Sequence, residues 1–287
     1  MLNIILGASG RVGSAVVDHL QTQNTPVKAV VHTDDRVEIF KQKGVPVVVA
    51  DSFQLSDLQT AFVDGNTVFV LTPETGDSND VIGDTEAILA NYRTAIESSP
   101  IEKIVGLSSV GAQFPVGNLK MSYLLERAFT NMKAQSIFVR PGYYFSNWLS
   151  FVPQAKEQGI LPTFYPVDLK IPMTSPSDVA EFVANIMTTT IEGSPIYELE
   201  GPDWYSSNDV ADALGEVLKR DVNVEQIPEE KWHEQLRQIG FTEDAIKNFI
   251  AMTELVADGK AQPERNGRLP AKTKTTLQQY LSDNAIH

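Results

Sequence analysis

Three glycines at fixed spacing, Gly7-x-x-Gly10-x-x-Gly13, stand directly after the short apolar run Ile4–Leu6. A helical pattern follows from Val12 to Leu20. This order of strand, glycine turn and helix can hold the pyrophosphate of a dinucleotide. Gly7 permits the tight turn off the strand, Gly10 lets the backbone approach a phosphate, and Gly13 lets the helix pack close. The N-terminal amides and positive dipole end of the helix then face the anion. The competing reading is a plain strand-to-helix turn with no ligand.

Other candidates fall at the ends of later apolar runs. His32 ends the second, and a carboxylate that would accept from an adenosine ribose is missing there. His32, Arg11 and Arg36 are donors able to surround a 2′-phosphate, which leans toward NADP(H) and leaves NAD(H) open. The nearby Asp34 and Asp35 keep alive the alternative that these cations are solvated surface charges. Asp51, after the third run, can accept from an adenine amino group or cap a helix. Leu71-Thr72-Pro73 ends the fourth run, where the chain passes the middle of a dinucleotide.

Ser108 ends the fifth run and can bond a substrate carbonyl or simply end the strand. Tyr123 stands four residues before Arg127, where many sheet-based reductases pair Tyr with Lys. A permanently charged guanidinium is not equivalent to an ammonium there, so Tyr123 is a weak candidate acid. Glu126, one helical turn past Ser122, is a candidate polar contact near the cofactor; otherwise it is a surface carboxylate. No catalytic residue is assigned beyond these weak candidates. Tyr143, Tyr144, Phe145 and Trp148, after Arg140-Pro141-Gly142, could stack on a flat substrate or form a hydrophobic hinge.

The elements that must position these residues are legible over residues 1–140. Val- and Ile-rich runs at Ile4–Leu6, Val27–Val31, Val45–Val49, Val68–Leu71, Ile104–Leu107 and Ile137–Val139 alternate with amphipathic stretches. Runs of this kind are strands buried on both faces of a parallel sheet. The fold class is therefore α/β, a doubly wound parallel sheet (Rossmann fold) with ligands at the strands' carboxyl ends. Residues 1–150 form the dinucleotide-binding core. Residues 151–287 form a smaller α+β lobe on the substrate side, interleaved with the core. Helices are expected over Val179–Met187, Asp209–Leu218, Pro228–Ile239, Thr242–Ala257 and Thr275–Leu281, short strands at Ile196–Leu199 and Val222–Val224, and a surface loop over 259–273.

Composition bounds the function. The 287-residue chain has no cysteine, which excludes disulfides and thiolate chemistry. Its four histidines, His19, His32, His233 and His287, lack ligand spacing, so no metal is expected. A net charge of −14 argues against nucleic acid as a partner. No apolar run approaches the roughly 20 residues of a membrane span. The first strand begins at once, which leaves no room for a leader and makes the cytoplasm the expected location.

Together the motifs resemble the NmrA-like, atypical branch of the short-chain dehydrogenase/reductase superfamily. The residues that carry the likeness are Gly7-Ala-Ser-Gly10-Arg-Val-Gly13, Asp51, Ser108-Ser109, Leu124-Leu125-Glu126, Val139-Arg140-Pro141-Gly142-Tyr143 and Ser177-Asp178-Val179-Ala180. Within that branch the chain is similar to bacterial quinone, azo-dye and triphenylmethane-dye reductases. The resemblance implies an NADP(H)-binding core held by Gly7, Ser9, Gly10, Arg11, Val12, Gly13, His32, Arg36, Asp51, Leu71 and Thr72. From their strand-end positions, Ser108 is a further cofactor candidate and Pro73 a substrate-side one. His32 stands where many relatives carry Arg, and Ser122 where some carry His. The function implied is hydride transfer to a quinone-like or conjugated small-molecule acceptor. The alternative is a non-catalytic NADP(H) sensor of the NmrA type, which would need a protein partner. Sugar-nucleotide epimerisation shares the fold but needs the missing Tyr–Lys pair. A homodimer is left open.

Overall fold

The computed structural model describes residues 1–73 and 76–285. His287, one of the four histidines, lies outside them. Thirteen strands and eleven α-helices occur among the described residues. The strands are β1 Asn3–Ile5, β2 Val27–Val31, β3 Val47–Val49, β4 Thr67–Leu71, β5 Lys103–Leu107, β6 Gln135–Pro141, β7 Tyr143–Tyr144, β8 Ile160–Thr163, β9 Ile171–Thr174, β10 Ile196–Glu200, β11 Trp204–Tyr205, β12 Asn223–Gln226 and β13 Leu269–Lys272. The helices are α1 Arg11–Thr22, α2 Val37–Gln42, α3 Leu55–Phe62, α4 Val81–Glu97, α5 Leu119–Ala128, α6 Val152–Gln158, α7 Pro176–Thr188, α8 Ser207–Leu218, α9 Glu229–Gln238, α10 Glu243–Ala257 and α11 Leu277–Asn284.

Eight strands form one parallel sheet in the order β13-β10-β6-β5-β4-β1-β2-β3. The order reverses between β1 and β4, which is the switch point where ligands of such sheets bind. Both faces are covered, as the continuous apolar strands require. On one face Val16, Val17 and Leu20 of α1 pack with Val179, Val183 and Met187 of α7 over Ile5, Val105 and Val139. On the other, α3, α4 and α5 bury Leu58, Tyr92 and Leu125 against Ile4, Val68 and Ile104.

Residues past 150 contribute to both layers: β10 and β13 extend the sheet, and α7 covers it. The rest of that half builds a third core around Phe145, Trp148, Leu161, Leu214 and Tyr280. Within it β7, β9 and β11 form one small sheet, and β8 pairs with β12.

The expected loop over 259–273 contains a strand, β13. Its Leu-Pro-Ala-Lys sequence shows no alternation, and Pro270 cannot donate to a ladder. Proline is tolerated there because β13 lies at the sheet edge. No helix among the described residues is long and apolar enough to cross a membrane.

Candidate dinucleotide cleft and its buried charge network

The glycine loop is built by three constraints. Gly7 has φ +60°, and a Cβ there would also sit 2.9 Å from Leu71 Cδ2. A Cβ on Gly13 would collide with the Gly7 carbonyl, 2.9 Å from its carbon, so α1 reaches the loop only because Gly13 is bare. The turn is closed by the Gly10 amide donating to the Gly7 carbonyl at 2.9 Å, and the Ala8 amide donates to Val30 of β2 at 3.1 Å.

Gly10 is the N-cap of α1, and no side chain caps that helix end. The first turn holds no acidic residue. A twelve-residue helix thus presents uncapped amides and its positive end beside exposed Gly7, Ser9 and Gly10. These residues fit a pyrophosphate. Val12 is buried, as its place in the α1 core face requires.

The neighbouring strand ends line up beside this loop. His32 and Arg36 are exposed after β2; Asp51 is half-buried after β3; Leu71 and Thr72 are half-buried after β4, and Pro73 is exposed. Arg36 Nε lies 3.2 Å from Asp35 Oδ2, so the charge available for a 2′-phosphate is shared with a carboxylate. Asp51 Oδ1 accepts from the Phe53 amide at 2.9 Å and makes a local turn, while the N-cap of α3 is Gln54. Arg11 reaches across to the second lobe, donating to the Ser146 carbonyl at 3.4 Å.

Behind Ser108 lies a network of charges that the sequence did not lead us to expect. The Ser108 hydroxyl donates to Glu126 Oε1 at 2.6 Å. Arg140 grips the same carboxylate through Nε (2.7 Å) and Nη2 (2.8 Å). Its Nη1 donates to Glu264 at 2.8 Å and lies 3.5 Å from Glu198. Glu198 in turn accepts from the amides of Glu264 (2.6 Å) and Arg265 (3.0 Å). Arg265 pairs with Glu200 at 2.7 Å, and Arg268 with Glu264 at 2.8 Å.

Arg140 is 1% exposed. Burial works against its charge, but hydrogen bonds and Coulomb attraction from Glu126 and Glu264 more than offset that and hold its pKa above the usual value. Burial likewise pushes Glu264 up, yet the bonds from Arg140 and Arg268 leave its pKa below the usual range. A charge network this dry is tolerable only because each member is paired.

Glu126 therefore has its oxygens bonded to Arg140 and Ser108, at the wall of an outer groove of about 700 Å³ over β6 and β10 that Arg140 and Glu264 also line. Tyr123 lines the same groove, with Arg127, Thr130 and Arg268. The groove shares no residue with the glycine loop. The Arg127 guanidinium sits 5.4 Å from the Tyr123 ring centroid.

Of the four candidate substrate aromatics, Phe145 (0% exposed) and Trp148 (1%) are interior to the second lobe. Phe145 stacks near Tyr205 and Tyr280, and Trp148 near Tyr143 and Phe151, so their rings offer no surface to a ligand. Tyr143 and Tyr144 are half-buried beyond Gly142, whose Cβ, if present, would press on the Pro172 carbonyl. The Tyr144 hydroxyl is shielded and has no partner among the described residues; burial raises its pKa, so it stays protonated.

Sequence reasoning missed the partners of Arg140. The available signal was charge inside apolar strands: Arg140 after Ile137–Val139, and Glu198 and Glu200 within Ile196–Glu200. Charges in strands buried on both faces need partners.

Known proteins resemble the chain in sequence and in fold. An NAD(P)H azoreductase of Xenophilus azovorans is 25% identical over 281 residues, covering 94% of each chain. The crystal structure of the NADPH-dependent quinone oxidoreductase of Escherichia coli, complexed with NADPH, superimposes with a TM-score of 0.80 at 21% identity over 99% of both chains. The Citrobacter triphenylmethane reductase complexed with NADP(H) gives 0.81 at 18% identity, again over 99% of both. The profile of the NmrA-like family matches residues 3–281, so nearly the whole chain is covered, and the protein belongs to the NmrA-like family.

Proposed function

We propose that this protein is an NADPH-dependent reductase of quinone-like or other conjugated small molecules. The glycine loop and uncapped α1 hold the pyrophosphate, with His32, Arg36, Asp51, Leu71 and Thr72 along the adenosine side. When bound, NADPH supplies a hydride. NADPH is favoured over NADH because no carboxylate directly follows β2, while His32 and Arg36 are exposed there.

The observation that carries the choice of acceptor is the disposition of the hydroxyls. The Ser108 proton is directed at Glu126, and Tyr123 stands in the outer groove against Arg127. Neither is set to protonate a simple carbonyl. A conjugated acceptor yields a stabilised anion that water can protonate, so the protein contributes mainly orientation. Tyr143 and Tyr144, half-buried just after β6, are the aromatics left to orient the acceptor.

The azoreductase and the quinone oxidoreductase, each matched over most of its length, are named as enzymes of reduction, which supports turnover over sensing. Arg127 in the place of lysine speaks against epimerisation. The test is fluorescence titration with NADPH and NADH, followed by nicotinamide absorbance after adding a simple quinone or dye. Tighter NADPH binding with steady consumption is the expected result. Binding with no consumption across several acceptors would overturn the reductase reading, and no binding of either cofactor would overturn the cleft.

A further inference from the structure

We propose that Asn266–Gly267 is a site of spontaneous deamidation that ages the clamp around Arg140. It is the only Asn-Gly pair in the sequence. Both residues are exposed in a turn, with Gly267 at φ +68°. The turn is closed by the Arg268 amide donating to the Arg265 carbonyl at 3.3 Å. Among the described residues, nothing hydrogen-bonds the Asn266 side chain and the Gly267 amide donates to no acceptor. Asparagine is chemically labile, and a following glycine leaves the attacking nitrogen unshielded.

The reaction needs only water. The Gly267 nitrogen gives up its proton and forms a bond to Asn266 Cγ, the bond from Cγ to the amide nitrogen breaks, and that nitrogen takes up a proton and leaves as ammonia. Water then opens the cyclic imide at either carbonyl, giving aspartate or isoaspartate. The first adds a negative charge; the second also inserts an extra backbone atom.

Both changes fall inside the clamp. Just before the turn, the Glu264 and Arg265 amides hold Glu198, and Arg265 pairs with Glu200. Just after it, Arg268 pairs with Glu264, the partner of Arg140. A new carboxylate competes for Arg265 and Arg268. A lengthened backbone misplaces the two halves that grip β10 and Arg140.

The experiment incubates the folded protein at mildly alkaline pH beside the Asn266→Gln variant and a urea-unfolded sample. Isoelectric focusing and mass mapping of a glutamyl-endopeptidase digest follow the conversion. We expect the folded parent to gain an acidic form with the mass change of amide-to-acid conversion at Asn266, absent in Asn266→Gln. The separated acidic form should melt about 2–4 °C below fresh protein. Conversion in the unfolded sample with none in the folded protein would overturn the site. Conversion with an unchanged melting temperature would overturn its effect on the clamp. Neither readout depends on cofactor or turnover.

Discussion

Replacing Arg140 by Met keeps an apolar stem of similar reach and removes the cation from the centre of the network. Glu264 retains Arg268, and Glu198 retains two backbone amides. Glu126 loses both guanidinium bonds and keeps only Ser108. With its side chain 12% exposed at the groove wall, water replaces only part of what is lost. Breaking a buried pair in this way costs about 3–5 kcal/mol. The lower end applies because the groove reaches Glu126, so the expected deficit in urea unfolding at pH 7 is about 3 kcal/mol. A deficit below about 1 kcal/mol, the size of an exposed pair, would refute the assignment of Glu126 as a buried charge held by Arg140.

Gly10→Asp and Gly13→Ala should separate binding from folding. A Cβ on Gly10 meets only the Gly7 carbonyl oxygen, at 3.1 Å, so Gly10→Asp should keep parental circular dichroism while NADPH affinity disappears. Gly13→Ala drives α1 off the loop, so affinity and about 1–3 kcal/mol of stability should fall together. Tyr123→Phe should leave quinone reduction within a few-fold of the parent; a loss of about 100-fold or more would restore Tyr123 as a general acid. Burial lifts Tyr92 to about 12, outweighing its bond to Ser52. Its stabilising effect is therefore intact below about pH 10, where the unfolded chain ionises, and is lost as pH rises toward 12. Tyr92→Phe should flatten the fall in stability over that window, read by urea unfolding at pH 9 and pH 11.

The glycine loop was legible because each glycine answers a local steric demand within seven residues of chain. The first six strands were legible for a similar reason: runs such as Val27–Val31 have no polar face to show water. The network was not. Arg140 meets Glu126 at a separation of 14 residues and Glu264 at 124, and no local pattern encodes either distance. Glu126 showed as a carboxylate of unknown company, and its role changed once Arg140 was beside it. Phe145 and Trp148 read as candidate stacking rings because aromatic type alone does not distinguish a wall from a core; the partners Tyr205, Tyr280 and Phe151 decide it. β13 hid in a polar stretch because an edge strand is exempt from the alternation that marks interior ones.

The interleaving of the two halves has a consequence during synthesis. The chain emerges N-terminus first. The face of α1 formed by Val16, Val17 and Leu20 is covered by Val179, Val183 and Met187, and β6 gains its outer neighbour only at Ile196–Glu200. Until roughly the first 200 residues are free of the ribosome, the nascent dinucleotide-binding half carries a bare apolar helix face and an unpaired strand edge. Such a chain invites chaperone capture, and its first half is no independently folding unit despite looking like one.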